Sequence, residues 1–216
     1  MSENEDIIEN VFMINPILKD YLYERIDFAE QEGFKVRLSP RKFEILPGGF
    51  PCGGYADEDD REVFVAMGNP YWDYVFIHEF CHVDQFLCKP QVLKNLIEGK
   101  KDLYLLYDQY ISGKKMSAEL LEKCIRVSRE FELDCEKRAT AQIIKYDLPI
   151  AVDDYVKRAN AYIYLYNAMA HYRKHIKPGK NPSNIEKIYC KMPNHFTCDY
   201  EQTPDWYLKL VKKHCL

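Results

Sequence analysis

Residues 78 to 82 read HEFCH and stand inside a largely apolar run, PYWDYVFIHEFCHVDQFLC. Tyr71, Tyr74, Val75, Phe80 and Phe86 make this run a helix that seeks a core, yet it takes two histidines and a glutamate in with it. Buried polar side chains need partners. Residues four apart share a helix face, so His78 and His82 can aim imidazole nitrogens at one cation. Glu79 lies beside them, where it can reach a water on that cation without ligating it. A zinc ion so placed lowers the pKa of its water toward neutrality, and the carboxylate can take the proton. The alternative reading of the same residues is a pair of core histidines satisfied by protein groups. Asn69 is the expected N-cap, Pro70 the first helical residue and Lys89-Pro90 the stop.

The chain has 216 residues, enough for one domain with a sizeable core, and residues 1–216 read as a single domain without repeats or linkers. A hydrophobic content of 47% with 30% charged residues fits a soluble globular protein. The net charge of −4 and the scattered lysines and arginines give no electrostatic reason to expect nucleic acid. The acidic, polar start MSENEDIIEN does not read as a signal peptide, and no apolar run is long enough to span a membrane. Eight cysteines without a secretory signal suit a reducing compartment, so a cytoplasmic location is expected. Cys81, Cys88 and Cys135 read as small buried hydrophobes within helices.

The order of elements is that of an α+β, mostly helical chain. Residues 16–32 look helical and stop at Gly33. Short β-like runs follow at 34–38 (FKVRL), 41–46 (RKFEIL) and 62–68 (EVFVAMG), with the turn-rich PGGFPCGGYADEDD between the last two. From Asn69 onward the chain reads as almost entirely helical. Ser117 caps a long helix that breaks at Asp147-Leu-Pro149, Asp153 caps the next, and Thr203-Pro204-Asp205 opens a last amphipathic one.

Two histidines leave a tetrahedral zinc needing a third protein ligand and an open position for water. A third histidine six residues after the second, following a glycine turn, is the metzincin pattern. Here those positions hold Cys88 and Gln85, so the helix runs on and Cys88 cannot fold back. The other route is a carboxylate from the long helix, where Glu132 and Glu136 stand four apart on one face with Ala139 and Ile143. The string ELDCEKRA, residues 132–139, resembles the E-x-x-A-D-x-x-A helix of gluzincin proteases. The HExxH…ELDCE pair is also similar to that of compact phage-encoded metallopeptidase-like proteins. The resemblance implies a zincin-like core: a small N-terminal sheet, the HExxH helix and a glutamate-bearing helix. It implies His78, His82 and Glu132 as ligands of one Zn²⁺ per chain, Glu136 orienting a histidine or replacing Glu132 as ligand, and Glu79 as general base. By the same analogy EVFVAMG is the rim on which a peptide substrate pairs as an added strand.

Other candidates are weaker. Arg158, Asn160, Tyr162 and Tyr166 could stabilise an oxyanion, although with 17 tyrosines in the chain core packing is the plainer reading. His171 and His175 lack a neighbouring glutamate and suit an exposed helix end. Cys190, His195, Cys198, His214 and Cys215 do not match a common zinc-finger spacing. Two functions follow from these residues. One is a zinc metallopeptidase acting on a peptide or protein substrate. The alternative is a zincin-fold protein that binds zinc and a protein partner without catalysis.

Overall fold

Val36 and Leu38 alternate with polar neighbours, whereas Val63 and Val65 stand beside Phe64 and Ala66, and all four are buried. In the computed structural model of the chain, which describes residues 3–10, 15–46 and 51–216, these runs become adjacent strands of one sheet. The class is α+β, with helix taking 58% of the described residues and the sheets small. Two compact units emerge, Met1–Cys88 with Arg138–Ile150, and Lys89–Lys137 with Ala151–Leu216.

The first unit opens with helix α1 (Glu3–Asn10) and helix α2 (Pro16–Gln31). Asn15 caps α2 by accepting from the Ile17 amide, with Pro16 in the first turn. Gly33, at φ +83°, turns the chain out of the helix into strand β1 (Lys35–Ser39), a conformation glycine adopts at no steric cost. Strands β2 (Glu44–Ile45) and β3 (Pro51–Cys52) pair with each other; residues 47–50 of the turn-rich stretch lie outside the described residues. The rest of that stretch is not all turn. Gly54–Asp57 forms strand β4, which runs antiparallel to strand β5 (Glu62–Ala66), while β1 lies parallel to β5 on its other side.

This order corrects the expectation for EVFVAMG. Strand β5 is central, its backbone bonded on both sides, so it cannot accept an added strand. The two sheet edges differ. On β1, the Asn4 side chain donates from Nδ2 to the Val36 carbonyl at 3.0 Å and accepts from the Leu38 amide at 3.1 Å. On β4, no strand among the described residues pairs with the outer edge.

Helix α3 (Trp72–Cys88) follows β5. Its start is later than expected: Asn69 accepts from the Tyr71 amide in a turn that precedes the helix, and Pro70 lies outside it. Its end is as expected, with Lys89 at φ +46° before Pro90. Cys81 is buried, but Cys88 in the last turn is exposed, against its reading as a buried hydrophobe.

The second unit contains helix α4 (Gln91–Lys94), a hairpin of β6 (Ile97–Glu98) and β7 (Lys101–Asp102), and helix α5 (Leu103–Ile111). The hairpin was not legible as strand, because two-residue strands carry no alternation to detect. Helix α6 (Ala118–Lys145) begins with Ser117 Oγ accepting from the Leu120 amide and breaks where Asp147 takes φ +49°. It runs unbroken through the chain positions assigned to both units. Helix α7 (Val152–Tyr172) has Ala151, not Asp153, at its cap; Asp153 sits in the first turn and accepts from Asn194 Nδ2. Helices α8 (Glu186–Tyr189) and α9 (Asp205–His214) pack with α7 around Ile163, Tyr207 and Val211. Residues 190–204 carry no helix, which departs from the nearly all-helical reading. Among the described residues, no helix is long and apolar enough to cross a membrane.

Many tyrosines serve the cores. Tyr21 lies edge-on to Phe76 in the first unit, and Tyr207 donates to the Ala161 carbonyl in the second. Burial raises the pKa of Tyr21, Tyr107 and Tyr207 far above the ordinary 10.0. A folded-state pKa above the unfolded value stabilises the fold fully below pH 10 and is lost as pH climbs through the raised values. Alkaline titration followed by phenolate absorbance and circular dichroism should therefore show these tyrosines ionising only together with cooperative unfolding. Gradual ionisation with the helical signal intact would contradict their burial.

Candidate metal centre

The HEFCH turn carries its polar side chains into the interior of the first unit. Glu79 and His82 are 8% and 6% exposed, Gln85 is fully buried, and His78 is partly buried. Gln85 follows His82 by three residues, so the two share a face. Gln85 Oε1 lies 2.8 Å from His82 Nδ1, and an acceptor there keeps the proton on Nδ1. His82 Nε2 is then a lone pair, and it faces His78 Nε2 at 3.1 Å with the rings 86° apart. Two nitrogens bound at about 2.0–2.1 Å to one tetrahedral zinc stand about 3.3 Å apart. The pair thus has the spacing of two ligands on one ion.

Glu79 lies under strand β4. A Cβ built on Gly54 would stand 2.4 Å from Val75 Cγ1 and 3.0 Å from Glu79 Cγ, so only glycine lets the strand pass this close to the helix. Cys52, two residues earlier, feels the same carboxylate: burial first, and then the charge of Glu79, push its thiol up to about 11. From helix α2, Arg25 Nη2 donates to the Phe80 carbonyl at 3.0 Å and to Asp84 Oδ1 at 2.6 Å. That ion pair, itself largely buried, fixes the HEFCH turn against α2.

On helix α6, within the second unit, Glu132 and Glu136 are both buried, which rules out a solvated charged face. Tyr104 and Tyr166 both donate to Glu132 Oε1, at 3.0 and 2.9 Å, and their hydroxyls lie 2.9 Å from each other. Burial, followed by the charge of Glu132, holds both phenols well above their ordinary pKa, so they remain donors. Tyr162 joins this group through Tyr166 at 3.2 Å. Glu136 Oε2 accepts from Tyr155 at 2.7 Å.

Cys135, between these carboxylates in the sequence, is buried, as expected of it. His78 and His82 belong to a set of side chains that could hold a metal ion. Sequence reasoning read the histidine pair from its spacing alone. It passed over Gln85 as a missing glycine, although its i+3 position after His82 was the available signal.

The remaining candidates are placed elsewhere. Arg158 bonds Asp154 and the Ser183 carbonyl, and Asn160 donates to the carbonyls of Pro193 and His195, so both hold the segment after α7. His171 is exposed near the end of α7, while His175 lies 3.6 Å from Asp108 Oδ1. Cys190, His195 and Cys198 are not brought together as a metal-binding group among the described residues. No family model, curated protein or solved structure matches the chain.

Replacing Gln85 with leucine frees the His82 ring to turn and should weaken zinc binding by about 10–100-fold in competition with a chromogenic chelator. Unchanged affinity would mean that Gln85 does not orient the ring. Gly54→Ala should cost about 1–3 kcal/mol of stability through the Val75 and Glu79 clashes, read as a lowered thermal midpoint.

Proposed function

We propose that this chain is a zinc-dependent peptidase with a zincin-like core, in which His78 and His82 hold one Zn²⁺ and Glu79 is the general base. The observation that carries the reading is the convergence of His78 Nε2 and His82 Nε2 at 3.1 Å, next to a buried Glu79. For the third ligand the proposal keeps Glu132. Its burial, and the two phenol donors that orient its carboxylate, suit a ligand held ready. A second reading makes the Cys135 thiolate the third ligand, with Glu132 and Glu136 belonging to the surroundings. Either set leaves a position open for chemistry.

A divalent metal held there supplies a Lewis acid that polarises a carbonyl and makes water acidic near neutral pH. The rest falls to the protein. Glu79 accepts a proton as the water oxygen bonds to the carbonyl carbon, then returns it to the leaving nitrogen as the C–N bond breaks. The low exposure of Glu79 keeps bulk water from competing for that proton. Strand β4 offers the place for an extended peptide: no strand among the described residues pairs with its outer edge, and Gly54 brings its backbone against Glu79.

Glu79→Gln should keep about one zinc per chain and lower hydrolysis of a mixed peptide library by at least about a hundredfold. Full activity in that variant would end the mechanism. Zinc-loaded protein that hydrolyses nothing would favour the alternative, a zinc-holding protein that recognises a partner. Cobalt substitution separates the ligand sets: a thiolate charge-transfer band that vanishes in Cys135→Ser assigns the sulfur, and its absence in the parent protein leaves Glu132.

A further inference from the structure

A second site lies wholly within the second unit. Arg129, on α6, is only 7% exposed. Its Nη1 donates to Asn167 Oδ1 at 2.8 Å and to the Tyr200 carbonyl at 3.1 Å. Asn167 is itself fixed, with Nδ2 donating to the Tyr200 carbonyl at 2.6 Å and to Thr203 Oγ1 at 2.8 Å. Both Nη1 hydrogens of the guanidinium are thus occupied and its plane is set. A guanidinium has five N–H groups. The three on Nε and Nη2 take no acceptor among the described residues, and no carboxylate stands within ion-pair distance of Arg129 there. A buried cation without an anionic partner is costly. Burial draws the guanidinium pKa down, and Glu201, Glu130 and Asp199 draw it back up from a distance.

Arg129 lines a cavity of about 460 Å³, together with Arg126, His171, Tyr110, Glu122 and Glu201 among others. We infer that this cavity binds a small ligand through its carboxylate, on the Nε–Nη2 edge of Arg129, with Arg126 as the second cation. That edge is a planar two-donor fork matched to two carboxylate oxygens. The cavity has room for a molecule of several residues' size, and Arg129 is held in place before any ligand arrives. The two glutamates on the wall decide between oxyanions. They repel a phosphate dianion more than a carboxylate monoanion, and they offer acceptors to an N–H group on the same ligand. None of these side chains belongs to the proposed metal centre, so the two readings stand or fall separately.

N-acetyl-diglycine and its uncharged C-terminal amide are suitable probes, followed by the Arg129 Nε–H resonance in the ¹H–¹⁵N spectrum of the whole chain. The acid should move that resonance and bind at least about tenfold tighter than the amide, the scale of a charge-assisted contact. Malonate should compete with it, which marks the carboxylate and not a peptide backbone as the recognised group. Arg126→Ala, at an exposed position, should weaken the acid while leaving the thermal midpoint unchanged, and Arg129→Lys should abolish binding. His78→Ala should bind the acid normally. An unmoved Nε–H resonance, equal affinity for acid and amide, or tighter binding of inorganic phosphate than of the acid would overturn the inference.

Discussion

A neutral imidazole has one donor and one acceptor nitrogen, and burying both without partners costs more than a single side chain can return. His82 escapes that cost because Gln85 Oε1 accepts a hydrogen bond from its Nδ1–H and leaves Nε2 facing His78. Helix α3 takes partners for its polar groups from near and far: His82 meets Gln85 and His78 within one turn, and Asp84 accepts from Arg25 on α2. Arg25 braces the turn at the Phe80 carbonyl, and the glycine at position 54 lets the sheet press down on Glu79. Remove the Gln85 contact and the His82 ring loses the acceptor that fixes its Nδ1 side.

What the sequence revealed, and what it hid, follow from the range of the interactions. Helix α2 with its Gly33 exit, the end of α3 at Cys88, and the limits of α6 depend on neighbours within a few residues, and those signals are readable. The histidines and Glu79 were legible for the same reason, since their spacing is one helical turn. The centrality of β5 was not: it depends on β1 and β4, residues apart in the chain, choosing the same partner. The Gly53-Gly54 pair reads as a turn in isolation, although Gly54 opens β4 and its contact with Val75 and Glu79 is what calls for a glycine there. The phenols of Tyr104 and Tyr166 meet Glu132 from helices 28 and 34 residues away in sequence, so one-dimensional reading treated them as packing.

The two buried carboxylates of α6 and the buried guanidinium of Arg129 show how one long helix can serve different chemistry at different heights. Glu132 accepts from the phenols of Tyr104 and Tyr166, Glu136 accepts from Tyr155, and Arg129 donates to an amide oxygen and a carbonyl. Each environment is built mainly by α7 and the segments beside it, so the identity of a polar residue on α6 says less about its role than the residue facing it.

The side chain of Asn4 behaves as a single-residue surrogate strand, reproducing on β1 the donor and acceptor that a neighbouring chain would present. A sheet left open on both sides is a template that can polymerise, because each added copy exposes a fresh edge to the next. On this sheet Asn4 leaves β4 as the edge that no strand among the described residues pairs, so a change that removed Asn4 would expose the Val36 carbonyl and the Leu38 amide of β1 as well.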